Sequence, residues 1–353
     1  VSAIEEAERY RAAKAREDNL KAALSRTMRQ LATAKASKQD LVDAVYRAAR
    51  DGISALELKP VIAPAIVKAA GSPEVAVAML GDWQLGKRTP TYNSRVCEER
   101  IELYGDKLLH LTTLQRANHP VREARVWLLG DMIEGVTVFP GQQWQVDASL
   151  YRQITLDGPR IVGNLLRRLL GSFDRVHVVA VIGNHGRFGR RGDFDPETNG
   201  DRMLYRIVQQ LLESEKRLTW TIPDGMGERH WYAVDRIGRY SCLLFHGDQL
   251  AGRLQGARTI IGMKRLINGW KSGGIPDSFD DVAYGHWHET MDLPLNGRCV
   301  ARCVGSPESY NTFAQEALAA MSCPAQRLMF VNPEKGRVSA EYRIWLDGKA
   351  KAA

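Results

Sequence analysis

Nowhere does the 353-residue chain sustain the roughly 18 consecutive apolar residues that a membrane-crossing helix needs, so no membrane role is expected. Cysteine is scarce. The five present (Cys97, Cys242, Cys299, Cys303, Cys323) are an odd number without a paired CxxC spacing, which argues against a disulfide framework and against a thiolate zinc module. No signal-peptide pattern opens the sequence, and the expectation is a reduced, cytoplasmic protein. Residues 1–56 lack proline and hold a single glycine, Gly52, while Gln249 to Ile275 lacks any acidic residue. With 44% apolar and 25% charged residues the composition is that of a globular protein rather than a disordered one. Lys and Arg exceed Asp and Glu by 49 to 41, a formal charge of +8, which mildly favours a polyanionic partner.

The Ala-, Glu-, Lys- and Arg-rich residues 1–56 read as a helical extension. A solvated helix on the body and a coiled-coil arm for a homo-oligomer or a protein partner fit this composition equally well. Lys59-Pro60 and Ala63-Pro64 mark residues 57–73 as a linker. From residue 74 to about 345 short apolar runs alternate with longer amphipathic stretches, the ordering of a layered α/β domain.

Five of these runs matter for how they end. Val75 to Leu80 leads into Gly81-Asp82, Arg125 to Leu129 into Gly130-Asp131, and Val176 to Ile182 into Gly183-Asn184-His185. Tyr240 to Phe245 leads into His246-Gly247-Asp248, and Val282 to Tyr284 into Gly285-His286-Trp287-His288. In open α/β sheets the carboxyl ends of strands are where sites are assembled. Four of the eight histidines, His185, His246, His286 and His288, lie at these ends. A Gly-Asp or Gly-His dipeptide alone carries little, but five strand ends that all deliver imidazole, carboxylate or amide groups point to a metal centre. Carboxylate oxygens mixed with imidazoles suit divalent Mn above all, with Mg, Fe, Zn, Co and Ni as alternatives. Two such ions sharing a carboxylate can bind both oxygens of a phosphate and activate a bridging water.

In this order the series Asp82-x-Gln84, Gly130-Asp131, Gly183-Asn184-His185, His246-Gly247 and Gly285-His286-x-His288 resembles the five motifs of the calcineurin-like metallophosphoesterase superfamily, across roughly residues 75–310. Asp82-Trp83-Gln84-Leu85-Gly86-Lys87 is similar to the opening motif of SbcD-type double-strand-break repair nucleases. Gly130-Asp131-Met132-Ile133-Glu134-Gly135, continuing to Phe139-Pro140-Gly141-Gln142, is similar to the small exonuclease subunit of archaeal family D DNA polymerase. Similar proteins also occur in phage genomes. The resemblance implies a layered β-sandwich flanked by helices. It implies one metal held by Asp82, Gln84, Asp131 and His288 and a second held by Asp131, Asn184, His246 and His286. Asp131 would bridge, and His185 would touch the scissile phosphate. Gln84 departs from the pattern, which has histidine there: its amide oxygen is a weaker donor and cannot act as a base.

Two basic stretches bear on substrate. Arg187, Arg190 and Arg191 follow the Asn-His motif in a glycine-rich loop, read either as suited to phosphate or as an ordinary exposed loop. Arg253, Arg258, Lys264 and Arg265, with Lys271 and Trp270, read either as a helix lining a nucleic-acid cleft or as an amphipathic packing helix. Tyr310 and Phe313 are candidates for base stacking or for core. Asp248 either orients a histidine or caps a turn. The leading expectation is a DNA nuclease, more specifically an exonuclease. A phosphatase or phosphodiesterase on small esters and a non-catalytic scaffold are the alternatives.

Overall fold

The computed structural model describes residues 60–65, 70–138, 141–251, 260–310 and 323–347, together with Lys14, Asp40, Asp43, Ala44 and Arg47. Arg253, Arg258, Phe313, Phe139, Pro140 and most of the expected helical extension lie outside the described residues. The chain divides into two compact units, Val1–Ala48 and Ala49–Ala353. The five described residues of the first are helical. Every element below belongs to the second.

A first sheet of six strands has the order β11-β10-β1-β2-β3-β4, built from β1 (Glu74–Leu80), β2 (Val121–Leu128), β3 (Arg175–Ala180), β4 (Leu218–Thr221), β10 (Ala325–Asn332) and β11 (Arg337–Trp345). The run β1 to β4 is parallel, and β10 and β11 add an antiparallel margin. A second sheet has the order β5-β6-β7-β9-β8, from β5 (Tyr232–Ile237), β6 (Tyr240–Phe245), β7 (Asp281–Tyr284), β8 (Asp292–Pro294) and β9 (Val300–Cys303). Here β6, β7 and β9 run parallel. The architecture is α/β, with two sheets flanked by helices, as expected.

The period of two along each strand separates its faces. Val75, Val77 and Met79 of β1 pack with Val179 of β3, Leu244 of β6, Ala283 of β7 and Met329 of β10 in the layer between the sheets. β1 is buried along its whole length, which is why it reads as an unbroken apolar run rather than an alternating one. Outside the first sheet lies α1 (Ser94–Arg116), whose first turn is closed by the Asn93 side chain accepting from the Val96 N–H. Its buried residues Cys97, Ile101, Tyr104 and Leu108 fall on one face, and the Tyr104 hydroxyl donates to the Arg327 carbonyl of β10 at 2.7 Å. α2 (Gly158–Leu170) and α3 (Gly200–Leu211) complete that flank. The outer face of the second sheet carries α4 (Ile260–Gly269), which inserts Met263 and Ile267 against Phe245 and Tyr284.

The five expected strands are all present, close to the expected limits, and all belong to the parallel portions of the two sheets. Residues 60–65 form neither helix nor strand. Val61 is pinned to the body on both sides: its N–H donates to Glu215 Oε1 and its carbonyl accepts from Arg217 Nη2. Among the described residues no helix is long and apolar enough to cross a membrane.

Candidate metal centre

The carboxyl ends of β1, β2, β3, β6 and β7 bring Asp82, Asp131, Asn184, His246 and His286 into mutual reach. His246 is fully buried, and its Nδ1 lies 2.9 Å from the Leu129 carbonyl. A carbonyl only accepts, so Nδ1 carries a proton and Nε2 is the free nitrogen of the neutral ring. Around that Nε2 stand Asp131 Oδ2 at 3.0 Å, Asn184 Oδ1 at 3.0 Å and His286 Nδ1 at 3.2 Å. One ligand atom each from Asp131, His246 and His286 falls within a 4.8 Å span. Four atoms able to act as ligands thus converge, which is unfavourable unless a proton or a metal cation lies among them. A single proton on Nε2 serves one neighbour, whereas a divalent ion serves all four, and the mixed oxygen and nitrogen set suits one.

The charges express the same requirement. Burial disfavours a charged His246, yet the Asp131 carboxylate beside it overrides burial and pushes it up to about 10. Burial likewise opposes ionisation of Asp131, but the neighbouring His246 and His185 outweigh it and hold the carboxyl well below its usual range. Burial and the His246 charge push His286 down to about 3, so that ring stays neutral. Burial pushes Asp82 up to about 6, against the pull of His288 and His246.

The backbone is strained at these positions. Among the described residues six non-glycines have positive φ, and five of them are expected ligands: Asp82 (52°), Gln84 (44°), Asp131 (52°), His286 (73°) and His288 (56°). Each such conformation costs on the order of 1–3 kcal/mol and persists only where its surroundings enforce it. The enforcement is visible: Asp82 N–H donates to the Gly130 carbonyl, Gln84 N–H to the Asp131 carbonyl, and the His286 N–H to both Asp82 oxygens at 2.9 and 2.8 Å. Gly183 of the Gly-Asn-His motif is needed for space, since a Cβ there would lie 2.1 Å from Asp131 Oδ1.

His185 sits beside this cluster. Its N–H donates to Asp131 Oδ1 at 2.7 Å, and its Nδ1 lies 2.9 Å from the Glu134 carbonyl and 3.2 Å from Glu134 Oε2. That orientation leaves Nε2 toward Asp131 Oδ2, 4.0 Å away. Burial lowers the pKa of the ring, but Asp131 and Glu134 reverse this and raise it to about 9. Gln142 steadies Glu134 by donating to its carbonyl at 2.7 Å and to Oε1 at 3.0 Å.

Gln84 and His288 lie on the other side. Gln84 Nε2 is 3.0 Å from His288 Nε2, its Oε1 accepts from Lys87 Nζ at 3.1 Å, and Lys87 pairs with Glu308 at 2.8 Å. Glu308 also holds His288 Nδ1 at 2.9 Å.

Arg187, Arg190 and Arg191 line a cavity of about 100 Å³ together with Gly183, Trp231 and Asp248. The Arg187 guanidinium pairs with Asp248, so Asp248 orients an arginine rather than one of the histidines. Arg190 and Arg191 are exposed. Lys264, half-buried, and Arg265, exposed, lie on α4, whose inner face packs on the second sheet. Tyr310 is 44% exposed and has a left-handed backbone.

Reading the sequence missed four supporting residues. Glu134 and Gln142 lay in plain view within the polymerase-like segment, but their pairing with His185 depends on the fold. Glu308 carried no motif. Asp201, at the start of α3, accepts from the backbone N–H groups of Asp131, Met132, Ile133 and Gly183 at 2.8–3.3 Å. Its only sequence signal is the Asn199-Gly200-Asp201 helix start, where the Asn199 side chain accepts from the Asp201 N–H.

No protein-family model and no curated protein matches the chain. Among solved structures it is similar to Vps29 from Entamoeba histolytica in complex with Zn²⁺, at 14% identity over 77% of this chain and 99% of that one, with a TM-score of 0.33. It is similar to a dimetal phosphatase from Danio rerio at 11% identity over 78% and 100%, TM-score 0.36. A predicted phosphoesterase from Streptococcus pneumoniae is similar at 11% identity over 76% and 98%, TM-score 0.31.

Proposed function

We propose that residues 74–345 form a metal-dependent phosphoester hydrolase of the calcineurin-like metallophosphoesterase superfamily, and that its substrate is the phosphodiester of DNA. The observation that carries the hydrolase reading is the convergence of Asp131 Oδ2, Asn184 Oδ1 and His286 Nδ1 on Nε2 of the fully buried His246. A divalent ion bound there supplies Lewis-acid activation of water and neutralisation of phosphate charge. Arg190 and Arg191, exposed beside the centre, support a polyanionic substrate.

The chain's own residues supply the remaining chemistry. Glu134 accepts a hydrogen bond from His185 Nδ1–H and, as a carboxylate, favours the charged ring, whose second proton on Nε2 is then available to the leaving oxygen. Asp131 holds the His185 backbone in place through Oδ1.

A pH dependence follows. The reactive form of His185 is the protonated ring, whose pKa the Asp131 and Glu134 carboxylates raise, so turnover falls as pH rises through that raised pKa, with Glu134 sustaining it once a metal takes up Asp131. Glu134→Gln removes one of the two raising charges. Its alkaline limb in kcat should move to lower pH by roughly one unit, and an unmoved limb would exclude Glu134 from tuning His185.

The substrate reading is tested with labelled single- and double-stranded DNA, bis-p-nitrophenyl phosphate and nucleotides, each with Mn²⁺ and with chelator. DNA should be degraded, and His185→Ala should slow this roughly 10²–10⁴-fold without changing metal content. DNA binding should weaken steeply with salt as phosphate contacts are screened. Cleavage of small esters alone, with salt-independent DNA binding, would replace DNA by a small phosphoester.

A further inference from the structure

The Gln84 side of the centre does not fit a second cation. His288 Nδ1 faces Glu308 Oε2, a carboxylate oxygen, so Nδ1 carries the ring proton and Nε2 is the lone pair that would bind a metal. The nearest group to that lone pair is the Gln84 amide nitrogen at 3.0 Å. The amide cannot turn its oxygen inward, because Oε1 already accepts from the Lys87 ammonium at 3.1 Å and a flip would set NH₂ against NH₃⁺. The ammonium is itself anchored on Glu308 Oε1 at 2.8 Å, and its side chain is only 9% exposed. Lys87, Gln84, His288 and Glu308 therefore close a ring of hydrogen bonds. The ring uses the amide oxygen and the imidazole nitrogen that the first metal would require.

Lys87 also brings a positive charge, one unit against the two of a divalent ion, to this side of the centre. Its ammonium is held on both Gln84 Oε1 and Glu308 Oε1, within the Gln84 pocket. A divalent ion added there would have to displace an amide N–H and sit against a buried like charge.

We propose that the Lys87 ammonium permanently takes the place of the first cation, and that the chain holds a single divalent ion, at Asp131, Asn184, His246 and His286. This rests on the hydrolase reading for the meaning of the site, but its stoichiometry can be measured without turnover. Glutamine at position 84 then belongs to a rebuilt pocket: it gives up metal ligation and instead ties a lysine to His288.

The test is metal content of the full chain, stripped with chelator and re-equilibrated with Mn²⁺, read by mass spectrometry and electron paramagnetic resonance. The wild type should take one Mn²⁺ per chain with an uncoupled, mononuclear spectrum. Gln84→His with Lys87→Met should take two, with spin coupling between them. Lys87→Met with Glu308→Gln removes the buried pair as a neutral unit, and circular dichroism of each variant establishes that it is folded. Two equivalents with a coupled spectrum in the wild type would overturn the proposal. One equivalent without hydrolysis of any phosphoester would leave it standing and sink the catalytic reading. No bound metal would overturn both.

Discussion

Asp131→Asn is expected to lower phosphoester hydrolysis by roughly 10³-fold or more while the chain stays folded. Asparagine preserves the shape and can still accept from the His185 N–H through its oxygen, the contact that Asp131 Oδ1 makes at 2.7 Å. What it loses is the charge that holds His246 and His185 in their raised state. At the Oδ2 position an amide nitrogen would face His246 Nε2, 3.0 Å away, and close the centre with a donor where a cation belongs. Two measurements check this, kcat/KM with Mn²⁺ and metal content, and both should fall together. Loss of turnover with undiminished metal would separate Asp131 from ligation.

Asp201→Ala should have the largest effect on stability, a loss of about 3–5 kcal/mol in denaturant unfolding. Asp201 is fully buried and touches none of the expected ligand side chains through a hydrogen bond of its own. Its two oxygens collect four backbone N–H groups, from the turn after β2 and from Gly183 after β3. Burial and the nearby Asp131 push its pKa up to about 6 despite those donors. Truncation leaves all four N–H groups buried without an acceptor and frees the turn that forces Asp131 into the left-handed region. Asp201→Asn keeps an acceptor oxygen and should lose less than the alanine variant. If Asp201→Ala unfolded like the wild type, the backbone clamp would be irrelevant to the fold.

These effects explain what could and could not be read from residues alone. The ends of β1, β2, β3, β6 and β7 were legible because polar groups of metal-binding type recur there after apolar runs, and strand ends are where a layered sheet exposes chemistry. Short β8 and β4 gave no periodic signal of their own, since three or four residues hold barely one alternation. The left-handed backbones at Asp82 and Gln84 were invisible, because local preference is too weak to predict them and tertiary hydrogen bonds from their N–H groups hold them. Gln84 itself stood out as a departure from the family pattern. Its physical meaning depends on the fold, because Lys87 is three residues away and Glu308 lies 224 residues from Gln84 in sequence.

The cationic segments show the opposite limit. Composition left Arg187, Arg190 and Arg191 open between phosphate binders and an ordinary exposed loop, and in the fold all three line one cavity. Arg187 spends its charge on Asp248, however. For Lys264 and Arg265 the same composition could not distinguish a cleft helix from a packing helix, and α4 does bury Met263 and Ile267 against the second sheet.

The most direct test of the metal-dependent phosphoesterase claim is hydrolysis of bis-p-nitrophenyl phosphate by the stripped protein during Mn²⁺ titration. Activity should be absent in chelator, appear in proportion to metal bound, and fail to appear in Asp131→Asn. A protein that binds the metal yet hydrolyses neither this ester, DNA nor nucleotides with any divalent ion would contradict the account.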